Sequence, residues 1–201
     1  MKSSVYKILQ ITDPELIQIL RAGGIAVIPT DTVYGVCVAA QDKMAVERLY
    51  RLKKRESKPG TIVASSIDKL VELGIKRRYL KAVEQYWPGP ISIEIPHGLD
   101  YLSQSTGRQA FRVVAEPSLI KLLEKTGPLL TSSANQPGEK PAVNIDEAIE
   151  YFGKDVDAYI DGGDLSERKS STLIRVVDDA VEVIREGSVK IDESGRIIDE
   201  A

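Results

Sequence analysis

The stretch IAVIPTDTVYGVCV spans residues 25–38 and predicts two strands separated by a polar loop. Its first four residues form a continuous, largely β-branched run, which is typical of a strand buried on both faces of a sheet. Pro29 ends this strand, and residues 35–38 are predicted to form the next one. The loop between them carries two threonine hydroxyls and a carboxylate. Because α/β sheets place ligands at strand ends, this loop is a candidate binding segment.

Helix signals flank this stretch on both sides. Asp13-Pro14 supplies a cap and a proline at the first helical position, which predicts a helix over residues 15–22 that Gly23-Gly24 ends. Asp42 caps a second helix, apolar on one side and basic on the other. Further helices are predicted over residues 67–73, 76–86, 117–125 and 146–152, and further strands over 61–64, 91–95, 111–114, 129–130, 158–160, 172–176 and 181–185. This mixture predicts an α/β fold around a mixed sheet.

The composition excludes several classes of protein. With 201 residues, of which 42% are hydrophobic, the chain is expected to bury one core. No run approaches the roughly 18 to 20 apolar residues of a membrane span, and the N-terminal residues lack a signal-peptide core, so a cytoplasmic location is expected. Cys37 and His97 are the single cysteine and histidine, too few for an internal disulfide or the usual zinc site. Any metal is therefore expected to arrive with a ligand, as Mg²⁺ on phosphates does.

Familiar phosphate-binding and hydrolase motifs are absent from the sequence. It contains no G-x-x-x-x-G-K-[ST], no G-x-G-x-x-G and no G-x-S-x-G, which excludes P-loop, Rossmann and nucleophile-elbow interpretations. The net charge of −3 argues against nucleic-acid binding over the whole surface, although cations cluster around residues 48–58 and 76–81. A basic run of this kind standing alone indicates a solvated helix face.

Two short pairs carry the functional prediction. Lys53 and Arg55 supply converging cationic donors at the end of the basic helix, and Ser133 and Asn135 supply neutral donors and acceptors in a predicted loop. A nucleotide needs both kinds of group, so the two pairs form an ATP site if the fold brings them together. Arg112 is a further candidate because a charge within a predicted strand is costly unless it is paired or binds a ligand. The hydroxyl-rich segments 30–32, 131–133 and 170–172 are also candidates, with hydrogen bonding in local turns as the alternative.

Seven short motifs together resemble the YrdC/TsaC family of threonylcarbamoyl-AMP synthases, from about residue 11 to residue 187. They are PTDTVYG (29–35), RLKKR (51–55), WPGP (87–90), FRV (111–113), TSSAN (131–135), SST (170–172) and REG (185–187). The resemblance implies one YrdC-like α/β domain over residues 1–187, with a twisted, mixed, largely open sheet, flanking helices and a concave basic face. The acidic segment 188–201 is interpreted as a disordered tail rather than a lid.

The resemblance also implies an activity and the residues that perform it. The family joins L-threonine, bicarbonate or CO₂, and ATP into threonylcarbamoyl-AMP and pyrophosphate, for modification of the tRNA adenosine beside the anticodon. By resemblance, the ATP-binding residues are Lys53, Arg55, Ser133, Asn135 and Arg185, the first four also being the catalytic set, and the threonine-binding residues are Thr32, Arg112, Thr131 and Ser171. The resemblance implies no metal ligand from the protein, and Mg²⁺ is expected to be carried by ATP.

Other functions fit parts of the sequence. A basic concave face also suits a module that binds double-stranded RNA or tRNA without catalysis, although backbone binding needs neither Arg112 nor the Ser133–Asn135 pair. A carbamoyl-transfer domain like that of hydrogenase maturation proteins is a third interpretation, against which the short chain counts. Direct contact with tRNA, or with the enzymes that transfer the threonylcarbamoyl group, is left open by the residues.

Overall fold

The computed structural model describes residues 6–54, 59–104, 106–178, 180–192 and 194–198. Within these residues, ten strands form one mixed sheet in the order β1-β8-β2-β3-β7-β4-β6-β5-β9-β10, and β11 pairs with β12. The strands are β1 (Lys7–Leu9), β2 (Ala26–Pro29), β3 (Tyr34–Ala39), β4 (Thr61–Ala64), β5 (Ile91–Pro96), β6 (Arg108–Val113), β7 (Leu129–Ser133), β8 (Ala158–Ile160), β9 (Thr172–Val177), β10 (Ala180–Arg185), β11 (Lys190–Ile191) and β12 (Ile197–Ile198). The predicted α/β class with a mixed sheet is confirmed.

Helices flank the sheet on both faces. They are α1 (Pro14–Arg21), α2 (Lys43–Leu52), α3 (Ile67–Glu72), α4 (Arg77–Lys81), α5 (Asp100–Ser103), α6 (Pro117–Thr126) and α7 (Ile145–Phe152). Both predicted caps are confirmed: the Asp13 carboxylate accepts from the Glu15 N–H at 2.8 Å, and that of Asp42 accepts from the Met44 and Ala45 N–H groups. In the part of the chain that the structure describes, no helix combines the length and apolar character needed to cross a membrane.

Strand β2 is buried on both faces, as its sequence predicts. It lies between β8, to which it is parallel, and β3, to which it is antiparallel. Val27 packs into the larger apolar cluster on one face, while Ala26 and Ile28 pack into the smaller cluster that α1 and α6 cover. Two-sided burial explains why the run is continuously apolar rather than alternating.

The helix pair α1 and α6 covers only part of its face of the sheet. Its apolar cluster includes Cys37 on β3 and Val63 on β4, whereas on β6 and β9 this face carries arginines, with Ala110 and Leu173 between them. The opposite face of β6 remains apolar through Phe111 and Val113. Alternation along the outer strands therefore produces an open polar surface beside the helices.

Two predicted elements differ in the structure. Residues 76–86 form α4 and then one 3₁₀ turn over Glu84–Tyr86, because the chain turns to bury Trp87, whose indole N–H donates to the Ile91 carbonyl at 2.8 Å. Strand β7 continues to Ser133, so most of the predicted TSSAN loop is strand. Its polar residues pair with β3, and Thr131 pairs with β4 as well; this non-local pairing overrides the local preference for turns.

The disordered-tail interpretation is wrong for residues 188–192 and 194–198. Strands β11 and β12 form a hairpin there, and the Tyr86 hydroxyl donates to the Gly195 carbonyl at 2.7 Å. Val189 and Ile191 pack against the larger apolar cluster. The sequence-based interpretation relied on the acidic net charge of the segment and did not weigh Val189 and Ile191, which hold it against the core. The domain boundary at residue 187 stays a prediction.

Candidate active site

A cleft of about 340 Å³ lies over the open polar face of the sheet. Strand β6 shows how the sequence builds it: Arg108, Ala110 and Arg112 face the cleft, while the intervening Phe111 faces the apolar core. Other residues that line the cleft include Thr30, Thr32, Thr61, Glu94, Thr106, Thr131, Ser133, Ser170, Ser171, Arg175 and Arg185. Four arginines against one glutamate make the described lining basic, which suits anionic ligands.

The loop after β2 contributes hydroxyls that its own backbone orders. The Thr30 hydroxyl donates to the Val33 carbonyl at 2.7 Å and lies 3.1 Å from the Thr32 hydroxyl. Since the Thr30 proton is already donated, the Thr32 hydroxyl donates to Thr30, and its oxygen can still accept from a ligand. Arg168 donates to the Thr30 carbonyl at 2.8 Å and fixes the loop from outside. The local-turn alternative is therefore correct for Thr30, and it leaves Thr32 facing the cleft.

Arg112 and Asp31 form a buried ion pair at the cleft floor. The guanidinium Nη2 lies 2.9 Å from the Asp31 carboxylate, and the two side chains are 4% and 8% exposed. Burial raises the pKa of the Asp31 carboxyl, and the adjacent guanidinium opposes that rise. Among the described residues, the buried Nε of Arg112 and one carboxylate oxygen of Asp31 have no hydrogen-bond partner. Arg112 also lines the cleft, so its guanidinium is held by Asp31 beside the space that a ligand would fill.

Lys53 contacts the Ser-x-Asn pair directly. Its ammonium donates to the Ser133 carbonyl at 2.7 Å, to the Asn135 carbonyl, and to the Asn135 side-chain oxygen at 2.9 Å. Lys53 is 2% exposed and also lies over the Phe152 ring. The Ser133 hydroxyl donates to the Asn135 side-chain oxygen at 2.8 Å. These described acceptors surround the ammonium, so Lys53 holds the edge of the cleft rather than projecting into it.

A β-bulge directs Arg185 into the cleft. On β10, Glu182 pairs with Arg175, but Arg185 pairs with Leu173, because Ile184 is the extra residue of the bulge. Strict alternation would put Arg185 on the far face with Val183, and the added residue moves it to the face of Leu173 and Arg175. The guanidinium then donates to the Ser171 carbonyl at 2.8 Å.

The structure brings six predicted site residues into one cleft: Thr32, Arg112, Thr131, Ser133, Ser171 and Arg185. Lys53 and Asn135 adjoin it through Ser133. Arg55 lies outside the described residues. The ligand roles of all nine residues remain predictions.

Several polar residues of the cleft face were missed by sequence reasoning. Ser92 and Glu94 occupy the polar positions of the alternating run over residues 91–95, and Arg175 donates to Glu94 from Nε at 2.9 Å. The alternation alone marks these side chains as facing away from the core. What it does not reveal is that this face borders a cleft, because the strand order depends on contacts distant in sequence.

Comparison with known proteins places the chain in a family. The Sua5/YciO/YrdC family model, described as "Telomere recombination", matches residues 18–187. The chain belongs to this family.

Several relatives carry the name threonylcarbamoyl-AMP synthase. The chain is 33% identical over 167 residues to a protein of Stutzerimonas stutzeri named threonylcarbamoyl-AMP synthase, covering 80% of this chain and 90% of that one. It is 36% identical over 156 residues to a Coxiella burnetii protein of the same name, covering 74% and 83%. The crystal structure of P. abyssi Sua5 complexed with L-threonine matches with a TM-score of 0.78 and 25% identity, over 92% of this chain and 57% of the Sua5 chain.

Proposed function

We propose that this protein is an L-threonylcarbamoyladenylate synthase, which makes threonylcarbamoyl-AMP and pyrophosphate from L-threonine, bicarbonate or CO₂, and ATP. The observation that carries the proposal is that one basic cleft contains Arg112 with Thr32 and Thr131 on its floor, and Ser133 and Arg185 on its walls. Arg112 and the two threonines suit an amino acid, and Ser133 and Arg185 suit a nucleotide. The names of the two relatives and the threonine complex of Sua5 support the same activity.

The reaction requires positioning more than a protein nucleophile. The threonine amine adds to CO₂ to form a carbamate, and a carbamate oxygen then attacks the α-phosphorus of ATP and displaces pyrophosphate. Carbamates lose CO₂ readily in water, so the cleft must hold the intermediate beside the nucleotide and exclude solvent. Fixed cations stabilise the charge that develops on the phosphate oxygens.

Arg112 is the proposed partner of the threonine carboxylate. Its side chain lines the cleft, and its Nη2 donates to Asp31 at 2.9 Å, which orients the guanidinium. Thr131 donates its hydroxyl to the Thr61 carbonyl at 3.1 Å, which leaves the Thr131 oxygen to accept from the substrate. Thr32 presents an acceptor in the same way. Ser171 completes the proposed threonine site.

Arg185, Ser133 and Asn135 are the proposed nucleotide contacts, with Arg55 added by resemblance. Lys53 was predicted to bind the ATP phosphates. With its ammonium bonded to Ser133 and Asn135, we propose that it acts on ATP chiefly by fixing those two residues and by adding positive charge behind them.

Mg²⁺ is proposed to enter as part of the ATP substrate. Within the described ranges, no cluster of three or more His, Cys, Asp or Glu side chains suits a metal ion. The single carboxylate of the described cleft lining, Glu94, is bonded to Arg175. The metal would therefore rest mainly on phosphate oxygens and water.

The product would serve tRNA modification beside the anticodon, with a second enzyme performing the transfer. Binding of tRNA, contact with that enzyme and a cytoplasmic location remain predictions.

Pyrophosphate release tests the proposal. The purified protein should release pyrophosphate from MgATP only when both L-threonine and bicarbonate are present. Arg112→Ala should reduce the rate about a hundredfold or more, since charge-assisted bonds contribute about 1.5–3 kcal/mol each. The matched control is Arg77→Ala, which removes an exposed arginine paired with Asp68, and should leave the rate unchanged. Absent pyrophosphate release together with salt-sensitive RNA binding would favour the RNA-binding module instead.

A further inference from the structure

Ser92 lies beneath the cleft floor and belongs to none of the predicted site residues. It is 0% exposed. Its hydroxyl oxygen lies 2.8 Å from that of Ser171 and 3.4 Å from Arg112 Nη1. The side chain therefore connects the proposed carboxylate partner Arg112 with Ser171.

The direction of these hydrogen bonds follows from the arginines at the two ends. A guanidinium only donates, so Arg112 donates to Ser92, while Arg185 donates to the Ser171 hydroxyl oxygen at 3.3 Å. Among the described contacts of Ser92, the Ser171 oxygen is the group that can accept. A fully buried hydroxyl is expected to donate its proton, so Ser92 donates to Ser171.

The Ser171 oxygen then accepts twice, from Ser92 and from Arg185, which fills both of its lone pairs. Its own proton is left to point into the cleft, which Ser171 lines. A hydroxyl locked as a donor beside Arg112 suits a carboxylate oxygen. The direction of the hydrogen bonds from Ser92 and Arg185 thus determines what Ser171 can bind.

We propose that Ser92 is a positioning residue that holds the Ser171 hydroxyl as a hydrogen-bond donor to the carboxylate of the amino-acid substrate. This inference rests on the proposed function. Asp31 forms an ion pair with Arg112 and so holds the other end of this series of hydrogen bonds. Ser92 itself touches no substrate, so its effect is exerted through Ser171.

The test compares Michaelis constants for the two substrates. Ser92→Ala should raise the KM for L-threonine about tenfold and change the KM for ATP less than about twofold, because one hydrogen bond to a charged group is affected. Ser92→Thr keeps the hydroxyl and should restore the wild-type KM. Ser103→Ala removes a hydroxyl that is equally buried, has no described partner and lies outside the cleft lining, and should change neither constant. If Ser92→Ala does not fold, Ser92→Val is used in its place. Its side chain has the same shape as that of the Ser92→Thr variant but lacks the hydroxyl.

A double-mutant cycle separates positioning from general destabilisation. Because Ser92 acts through Ser171, Ser92→Ala added to Ser171→Ala should raise the threonine KM no further. Additive effects, or equal loss of affinity for ATP, would overturn the inference.

Threonine binding by calorimetry, without bicarbonate, separates this inference from the proposed function. If the wild type binds L-threonine but releases no pyrophosphate, the synthase proposal fails, and weaker binding by Ser92→Ala still supports the role of Ser92. An active wild type with an unchanged Ser92→Ala variant overturns the role of Ser92 alone. A wild type that neither binds threonine nor reacts contradicts both.

Discussion

The ammonium of Lys53 donates to both the main-chain carbonyl and the side-chain oxygen of Asn135. The two residues are 82 positions apart in the sequence. This contact joins the end of α2 to the segment that follows β7. A cation prominent in the sequence motif therefore also organises the cleft edge.

Replacing Lys53 should damage both the cleft edge and catalysis. Lys53→Gln removes a buried charge and at least one of the described bonds to Ser133 and Asn135, so we expect pyrophosphate release to fall about a hundredfold and the free energy of unfolding to fall by about 1–3 kcal/mol. Chemical denaturation and the pyrophosphate assay measure the two effects. Lys54→Gln, at the exposed neighbouring position, is the control and should change stability little. Equal effects of the two substitutions would rule out a special role for Lys53.

Gly187 allows the chain after β10 to approach the backbone of residues 170–172. A Cβ at this position would lie 2.3 Å from the Ser170 carbonyl oxygen and 2.4 Å from the Ser171 carbonyl carbon. Gly187→Ala should therefore displace Ser171, lower stability by about 1–3 kcal/mol and raise the threonine KM. Gly98→Ala meets no atom within 4 Å and is the matched control. Unchanged stability and KM in Gly187→Ala would show that this approach is not required.

The bulge at Ile184 should be required for the function of Arg185. Deletion of Ile184 restores strict alternation and is expected to turn Arg185 away from the cleft. The deletion and Arg185→Ala should then raise the KM for ATP to a similar extent, while circular dichroism shows a retained fold. An ATP KM near the wild-type value in the deletion variant would contradict this account of the bulge.

His97 should make stability depend on pH below about 6.5, its ordinary pKa. Burial lowers the pKa of His97 in the folded protein, and its Nδ1 accepts from the Leu99 N–H at 2.9 Å. As the pH falls below 6.5, the unfolded chain binds a proton that the folded chain does not, so stability is present above 6.5 and is lost on acidification.

His97 contributes at most about 1.4 kcal/mol per pH unit to the slope of the free energy of unfolding against pH. Denaturant unfolding at several pH values measures it. His97→Asn keeps an acceptor for Leu99 and should lack this part of the slope. If the free energy of unfolding depends on pH in the same way in the wild type and in His97→Asn, His97 is not the source of this pH dependence.

The sequence predicts the parts of the molecule that depend on local pattern. The buried β2 strand, the caps Asp13 and Asp42, and the existence of strands β9 and β10 all follow from periodicity and cap residues. Local propensity predicts a loop at Thr131 and Ser133, because it does not include the pairing of both residues with β3 and of Thr131 with β4. Arg112 and the hydroxyl-rich segments that contain Thr32, Thr131 and Ser171 are candidates from the sequence alone, but the ligand assigned to each comes only from the chain-wide resemblance.

The rest depends on strand order. Ser92 meets Ser171 because β5 lies beside β9, which are about 80 residues apart in the sequence. Nothing in the run over residues 91–95 specifies that neighbour. The partners of Lys53 and the bulge that directs Arg185 are likewise set by pairing across the sheet.

Identification of the reaction product decides whether this protein is a threonylcarbamoyl-AMP synthase. The protein is incubated with MgATP, L-threonine and isotope-labelled bicarbonate, and the AMP-containing product is identified by mass spectrometry. We expect labelled threonylcarbamoyl-AMP, formed in amounts equal to pyrophosphate and lost in Arg112→Ala. Nucleotide and threonine binding without any labelled adduct would contradict it.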